Sequence, residues 1–201
     1  MRLLMKKKYN RVYQFRITLE DIKPPVWRRI QVPETYTFWD LHVAIQDVMG
    51  WSDYHLHQFK VIDPVTKTRV DIGIPDEQDD YYEILPGWKQ KIPDYFTGEN
   101  KKAGYTYDFG DNWNHTVLLE KILRREKGVA CPICIDGQRA CPPEDCGGVG
   151  GYEEFLEIIM DPGDERYKEM LAWAGDFEPE YFDKDGVVFD DPAKRLKTLW
   201  D

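Results

Sequence analysis

The sequence predicts an α+β fold: a mixed β-sheet of two hairpins around one helix, continued by a C-terminal helical part. Three observations carry this. Apolar side chains alternate with period two in paired segments over 12–32 and again over 105–123. Between them, 37–49 keeps the period of an α-helix, and beyond residue 151 only helical spacing remains. The 201 residues, 42% hydrophobic and 14% aromatic, suffice for a sizeable core in a single domain over 1–201. Within it, 12–123 form the sheet-plus-helix core, 131–148 a Cys-rich corner and 151–201 an acidic helical cap.

Each element has its own cause. Tyr13, Phe15, Ile17 and Leu19 alternate with Gln14, Arg16 and Thr18, which makes 12–20 a half-buried strand. Pro24 and Pro25 stop it, since proline cannot donate to a ladder. VWRRIQV, 26–32, returns as its hairpin partner. Thr37 caps the helix, with Asp40 three residues on as a partial capping box. Phe38, Leu41, Ile45, Val48 and Met49 form its apolar stripe, and Gly50 accepts the left-handed end. HLHQFKVI, 55–62, reads as a third strand. Segment 69–104 reads as a short strand at 69–75 and then a long polar surface excursion, broken by Pro86, Gly87 and Pro93.

In the second hairpin Tyr105, Tyr107 and Phe109 point inward, Gly110, Asp111 and Asn112 turn the chain, and Trp113, His115, Val117 and Leu119 share the inward face. Tyr152, Phe155, Leu156, Ile159 and Met160 then make a helical stripe, broken by Pro162. Tyr167, Met170, Leu171 and Ala174 make a second, ended by Gly175. The last helix, over 191–200, has Pro192 in its first turn. Two hairpins with a helix across one face suggest a β-grasp (ubiquitin-like) roll.

The net charge of −10 is unevenly spread. Residues 1–60 carry 10 basic and 6 acidic side chains, whereas 141–201 carry 6 and 17. So acidic a C-terminal third repels phosphate, which disfavours nucleic acid as a partner over most of the surface and leaves a protein partner open. No apolar run approaches the ~18 residues of a membrane span. MRLLMKKKYN places its leucines before its lysines, the reverse of a signal peptide. The chain therefore reads as cytoplasmic, with its cysteines as thiols or metal ligands.

Four constellations carry chemistry. Cys131, Cys134, Cys141 and Cys146 form a C-x2-C-x6-C-x4-C array, four soft ligands that would take zinc as cofactor, with His115 as a substitute ligand. The same cysteines also read as small buried hydrophobes beside a stiff Pro-Pro/Gly-Gly corner. Asp108, Asp111, His115, Glu144 and Asp145 become candidate catalytic residues if the corner folds over the hairpin tip. Carboxylates there suit a hard divalent cation, and the imidazole a general base. Against this, Asp beside Gly is ordinary turn chemistry. His55 and His57, at i and i+2, share a strand face, and His42 from the helix completes a secondary metal candidate. Trp27, Arg28 and Arg29 are weak candidates for stacking a base and holding a phosphate, because alternation sends the two arginines to opposite faces.

Six segments in this order, IKPPVWRRIQVP, TFWDLHVAIQDVMGW, HLHQF, YDFGDNWNH, CPPEDCGG and GYEEFL, resemble the Ri-plasmid third-open-reading-frame family. The resemblance spans roughly residues 12–183, with the excursion near 70–100 unmatched. It implies no particular activity. Its pattern emphasises Cys141, Glu144, Asp145 and the glycines, and related proteins are described as passengers of insertion elements. Three readings follow. The first is a protein without a demonstrable reaction, whose cysteine corner is a zinc staple locking helices to sheet. The second is a metal-dependent hydrolase using Asp108, Asp111, Glu144 and Asp145 as ligands and His115 as base. The third is a nucleic-acid- or protein-recruiting module.

Overall fold

The computed structural model describes residues 8–76 and 83–199. The longest ladder sets the frame. β1 (Arg11–Leu19) pairs antiparallel with β7 (Trp113–Arg124), from Arg11 opposite Arg124 to Leu19 opposite His115. On its other side β1 pairs with β2 (Trp27–Pro33), and β2 with β8 (Ile133–Gln138). β7 continues through β6 (Lys102–Tyr107), β3 (His57–Ile62), β4 (Arg69–Gly73) and β5 (Ile84–Pro86). Among the described residues this is one eight-stranded sheet in the order β5-β4-β3-β6-β7-β1-β2-β8, antiparallel except for the β4–β5 pair. The class is mixed α+β. The sheet extends well past two hairpins, and nothing in its order singles out a ubiquitin-like roll.

α1 (Phe38–Met49) crosses the inner face. Its start is a full capping box: the Thr37 hydroxyl accepts from the Asp40 amide, and Asp40 accepts from the Thr37 amide. Gly50 ends it at φ 86°. Ten of its twelve residues are buried, so it has no solvent side. The sheet covers one flank. The C-terminal segment covers the other, where Trp39 Nε1 donates to the Pro192 carbonyl at the start of α5 (Pro192–Thr198). α3 (Gly148–Met160) and α4 (Tyr167–Ala174) pack together beside the sheet, Phe155 meeting Trp173 edge to face.

Three expectations are corrected. Segment 69–104 is not merely a surface excursion. It supplies β4, β5 and the one-turn α2 (Ile92–Tyr95), and it buries Ile92 and Phe96 completely. Phe96 meets Phe15 edge-on at 4.8 Å and stacks on Phe38 at 5.9 Å, contacts worth ~0.5–1.5 kcal/mol each beyond burial. Its polar composition hid these apolar anchors; residues 77–82 of the excursion lie outside the described part. Phe109 and Met160 are exposed, because one sits in the turn rather than on the strand and the other on the last turn of α3. The cysteine segment includes a strand, β8, which lacks clean alternation because a register shift interrupts its pairing with β2 between Arg29 and Ile30.

The corner between β8 and α3 is held by close backbone approach. A Cβ on Gly148, at φ 69°, would stand 2.5 Å from the Asp111 carbonyl oxygen, and one on Gly151 would stand 1.9 Å from that of Cys146. The substitution Gly148→Ala should therefore destabilise the fold by about 2 kcal/mol or more, from the left-handed backbone and the forced displacement of the hairpin tip. Urea unfolding checks this as a lowered midpoint with an unchanged slope.

Candidate functional site

Three loops meet at one end of the sheet: 50–56 after α1, the β6–β7 tip at 108–112, and the corner at 140–148. Asp108 leaves β6 in a left-handed conformation (φ 57°), and its carboxylate accepts from the Gly110 amide at 2.8 Å. The corner lies against this tip. Asp111 accepts from the Gly147 amide at 3.2 Å, and Trp51 Nε1 donates to the Pro142 carbonyl at 3.0 Å. Glu144 accepts from the Tyr107 hydroxyl at 2.6 Å and from the Ser52 amide at 2.8 Å. Burial, reinforced by this carboxylate, pushes the Tyr107 hydroxyl pKa far up, so it remains a donor.

This bracing leaves two acids free to face an imidazole. His55 Nε2 stands 3.1 Å from Asp145 Oδ1 and 3.6 Å from Asp108 Oδ2. One ligand atom from each of His55, Asp108 and Asp145 lies within 4.8 Å of the others. The Asp145 side chain is 70% exposed, so this group opens to solvent. Of the five candidate catalytic residues, Asp108 and Asp145 thus meet at the junction, while Asp111 and Glu144 tie the corner down. His115 as base is corrected. It is buried inside, its Nδ1 3.3 Å from the Tyr105 carbonyl oxygen and its ring edge-on to Trp51. The residue facing the acids is His55.

The histidine triple also divides. His55 precedes β3, so it does not share a strand face with His57, which is the first residue of β3. His57 points under α1, where its ring stacks on that of His42 at 3.4 Å and 8°. Asp53 joins them: His42 Nε2 lies 2.8 Å from Asp53 Oδ1, and ligand atoms of all three residues lie within 4.8 Å of one another. Spacing alone offered one signal for Asp53, the alternation Asp53, His55, His57; the turn before β3 then sends the middle member elsewhere.

A chain of hydrogen bonds runs through this interior. Gln46 Nε2 donates to the Tyr105 hydroxyl oxygen at 2.9 Å, and that hydroxyl meets His42 Nδ1 at 2.9 Å. With Tyr105 donating, His42 carries its proton on Nε2, toward Asp53. Arg195 of α5 closes the outer side, 3.6 Å from Asp53 and 2.9 Å from Asp47, and also pairs with Asp190. Burial holds His42 and His57 well below the usual imidazole range and raises Asp53 to about 6.

The remaining candidates are dispersed. Neither three-ligand group among the described residues contains a cysteine. All four cysteines are free thiols. Cys131 neighbours Tyr9 and Arg125, and Cys134 donates weakly to the Asp136 carbonyl. Burial pushes the Cys141 thiol pKa far up, with Cys146 adding to it, and raises Cys146 itself to about 12. Arg28 is buried, donating to the Val48, Trp27 and Gln138 carbonyls and stacking on Phe182. Trp27 lies on the outer sheet face, its ring already covered by Arg16 and Arg29, and Arg29 is paired with Glu120 and Asp136. Among the described residues, no helix is long and apolar enough to cross a membrane.

Comparison with known proteins gives a consistent result. A family model described as plasmid pRiA4b ORF-3-like protein matches residues 11–186, a span that holds both three-ligand groups and stops short of α5. The uncharacterized protein y4hQ of Sinorhizobium fredii (strain NBRC 101917 / NGR234) is 35% identical over 164 residues, covering 82% of this chain and 81% of its own. The crystal structure of the protein of unknown function MM3350 from Methanosarcina mazei Go1 is 51% identical, with a TM-score of 0.85, covering 90% of this chain and 100% of that one.

The buried imidazoles predict acid sensitivity. Burial lowers the pKa of His115 to about 4. The unfolded chain, with its histidines near ~6.5, then binds more protons than the folded one, so stability falls as pH drops from ~6.5 toward ~4. His115 alone accounts for about 3 kcal/mol over that window, and His42 and His57 act with the same sign. Asp53, raised to about 6, opposes them, since its folded form takes up the proton first. Urea midpoints should fall between about pH 7 and pH 4.5, and fall more steeply in Asp53→Asn; a level or rising midpoint contradicts this.

Proposed function

This chain belongs to the plasmid pRiA4b ORF-3-like family, and on that premise we propose that its working site is the open junction of His55, Asp108 and Asp145, acting as a divalent-cation site. One observation carries the reading: three ligand atoms from three different loops lie within 4.8 Å of one another, while Glu144 and Asp111 hold those loops in place. One imidazole nitrogen and two carboxylate oxygens suit zinc or manganese. Three protein ligands with a solvent-facing side match the pattern of catalytic rather than structural sites, which keep positions for water. A cation held there would acidify a bound water, which supports metal-dependent hydrolysis as its chemistry. A zinc staple built from the cysteines has less behind it, because no thiol joins a three-ligand group among the described residues and the corner is already moored by Trp51, Tyr107, Ser52 and Asp111.

Calorimetric titration with Mn2+ and Zn2+ tests the reading. Each of His55→Ala, Asp108→Asn and Asp145→Asn should weaken binding at the junction by at least about tenfold, as loss of one of three ligands requires. Unchanged affinity in all three would sink it.

A further inference from the structure

The interior group is of a different kind from the junction. We infer that His42, Asp53 and His57 form a second, closed site for a divalent transition cation. The argument starts from His57. The residue is 3% exposed, and neither ring nitrogen has a hydrogen-bonding partner among the described residues. A neutral imidazole carries one N–H donor and one acceptor, and leaving either unmatched in the interior costs ~1–3 kcal/mol. His42 and Asp53 are accounted for without a cation, since they bond each other at 2.8 Å. That bond leaves His57 without a partner, and a cation shared among the three would occupy one of its two nitrogens.

Proximity agrees. One ligand atom from each of His42, Asp53 and His57 lies within 4.8 Å of the others, and the two imidazoles, stacked with centres 3.4 Å apart, need only turn out of the stack for a nitrogen of each to meet one cation. Charge agrees as well. Three carboxylates, Asp47, Asp53 and Asp190, gather about the one guanidinium of Arg195, so the ionised cluster has negative charge to spare. A divalent cation balances it.

The surroundings are those of a ligand histidine. When His42 binds metal through Nε2, its proton sits on Nδ1 and is donated to the Tyr105 oxygen, 2.9 Å away. With the Gln46 amide turned over, its Oε1, otherwise a buried acceptor with no partner among the described residues, takes the place of Nε2 beside Tyr105 and accepts the Tyr105 hydrogen. Trp39 lies against both imidazoles, with ring centres 5.2 and 5.8 Å away, and keeps the site apolar on that side. Two imidazoles and one carboxylate select zinc, iron or cobalt over magnesium or calcium.

The full chain, produced with added zinc and dialysed against a chelator while folded, tests this in an Asp145→Asn background that disables the junction. That chain should retain about one equivalent of zinc, released only on unfolding. Refolded with Co2+, it should show the visible absorption of a four- or five-coordinate site. Adding His57→Phe, which keeps an aromatic ring against Trp39 and Phe59, or Asp53→Asn should abolish both signals. Where His57→Phe fails to fold, Asp53→Asn decides. Less than half an equivalent in the Asp145→Asn chain, or signals that survive Asp53→Asn, would overturn the inference. Equal zinc before dialysis in the unsubstituted and Asp145→Asn chains would reject the junction reading while leaving this one standing.

Discussion

α1 has no solvent side, and most of what is distinctive in this protein follows from that. A helix packed between a sheet and a C-terminal strap must satisfy every polar side chain internally, because an unmatched buried group costs as much as a helix cap is worth. His42 and the Gln46 amide nitrogen meet this demand through Tyr105 of the sheet and Asp53 of the loop after the helix. Asp47 meets it through Arg195 of the strap. The polar interior thus couples three layers that apolar packing alone would leave free to slide.

The same loop after α1 serves two ends. Asp53 turns inward beneath α1, whereas Trp51, Ser52 and His55 turn toward the corner and hairpin tip. Asp53 adopts a left-handed backbone within this loop, at φ 62°. One short segment thereby contributes to a closed, dry group and to an open, wet one. The two groups differ in the exposure of their carboxylates, and so in the chemistry they suit. The closed group excludes water and favours tight structural holding of a cation; the open one admits substrate and solvent.

The cysteine corner illustrates why spacing is a weak guide to ligation. Cys131 and Cys134 have the two-residue interval of a chelate, yet they flank the start of an edge strand. Cys131 lies in the bend before that strand and Cys134 within it. What ties the corner to the sheet is instead a set of hydrogen bonds to Pro142, Glu144 and Gly147, together with glycines at 148 and 151 that permit contact between backbones.

Local rules were enough to read β1, β2, α1, the second hairpin and the C-terminal helices from the sequence, because alternation, capping and turn residues act over a few positions and α1 carries its own box and its own glycine stop. The sequence alone also marked the acids of the tip and corner and all four histidines as candidates. Which of them meet was decided elsewhere. His115 and His55 exchanged roles because the inward face of β7 is buried while the turn before β3 is not. Asp53 and Arg195 entered a cluster whose members lie 142 residues apart in the chain, and Phe96 became core through rings on β1 and α1. The registers of β1 with β7 and of β3 with β6, and the return of the C-terminal strap over α1, bring these groups together. Such contacts join residues whose local sequences hold no record of one another, so only the tertiary structure could specify them.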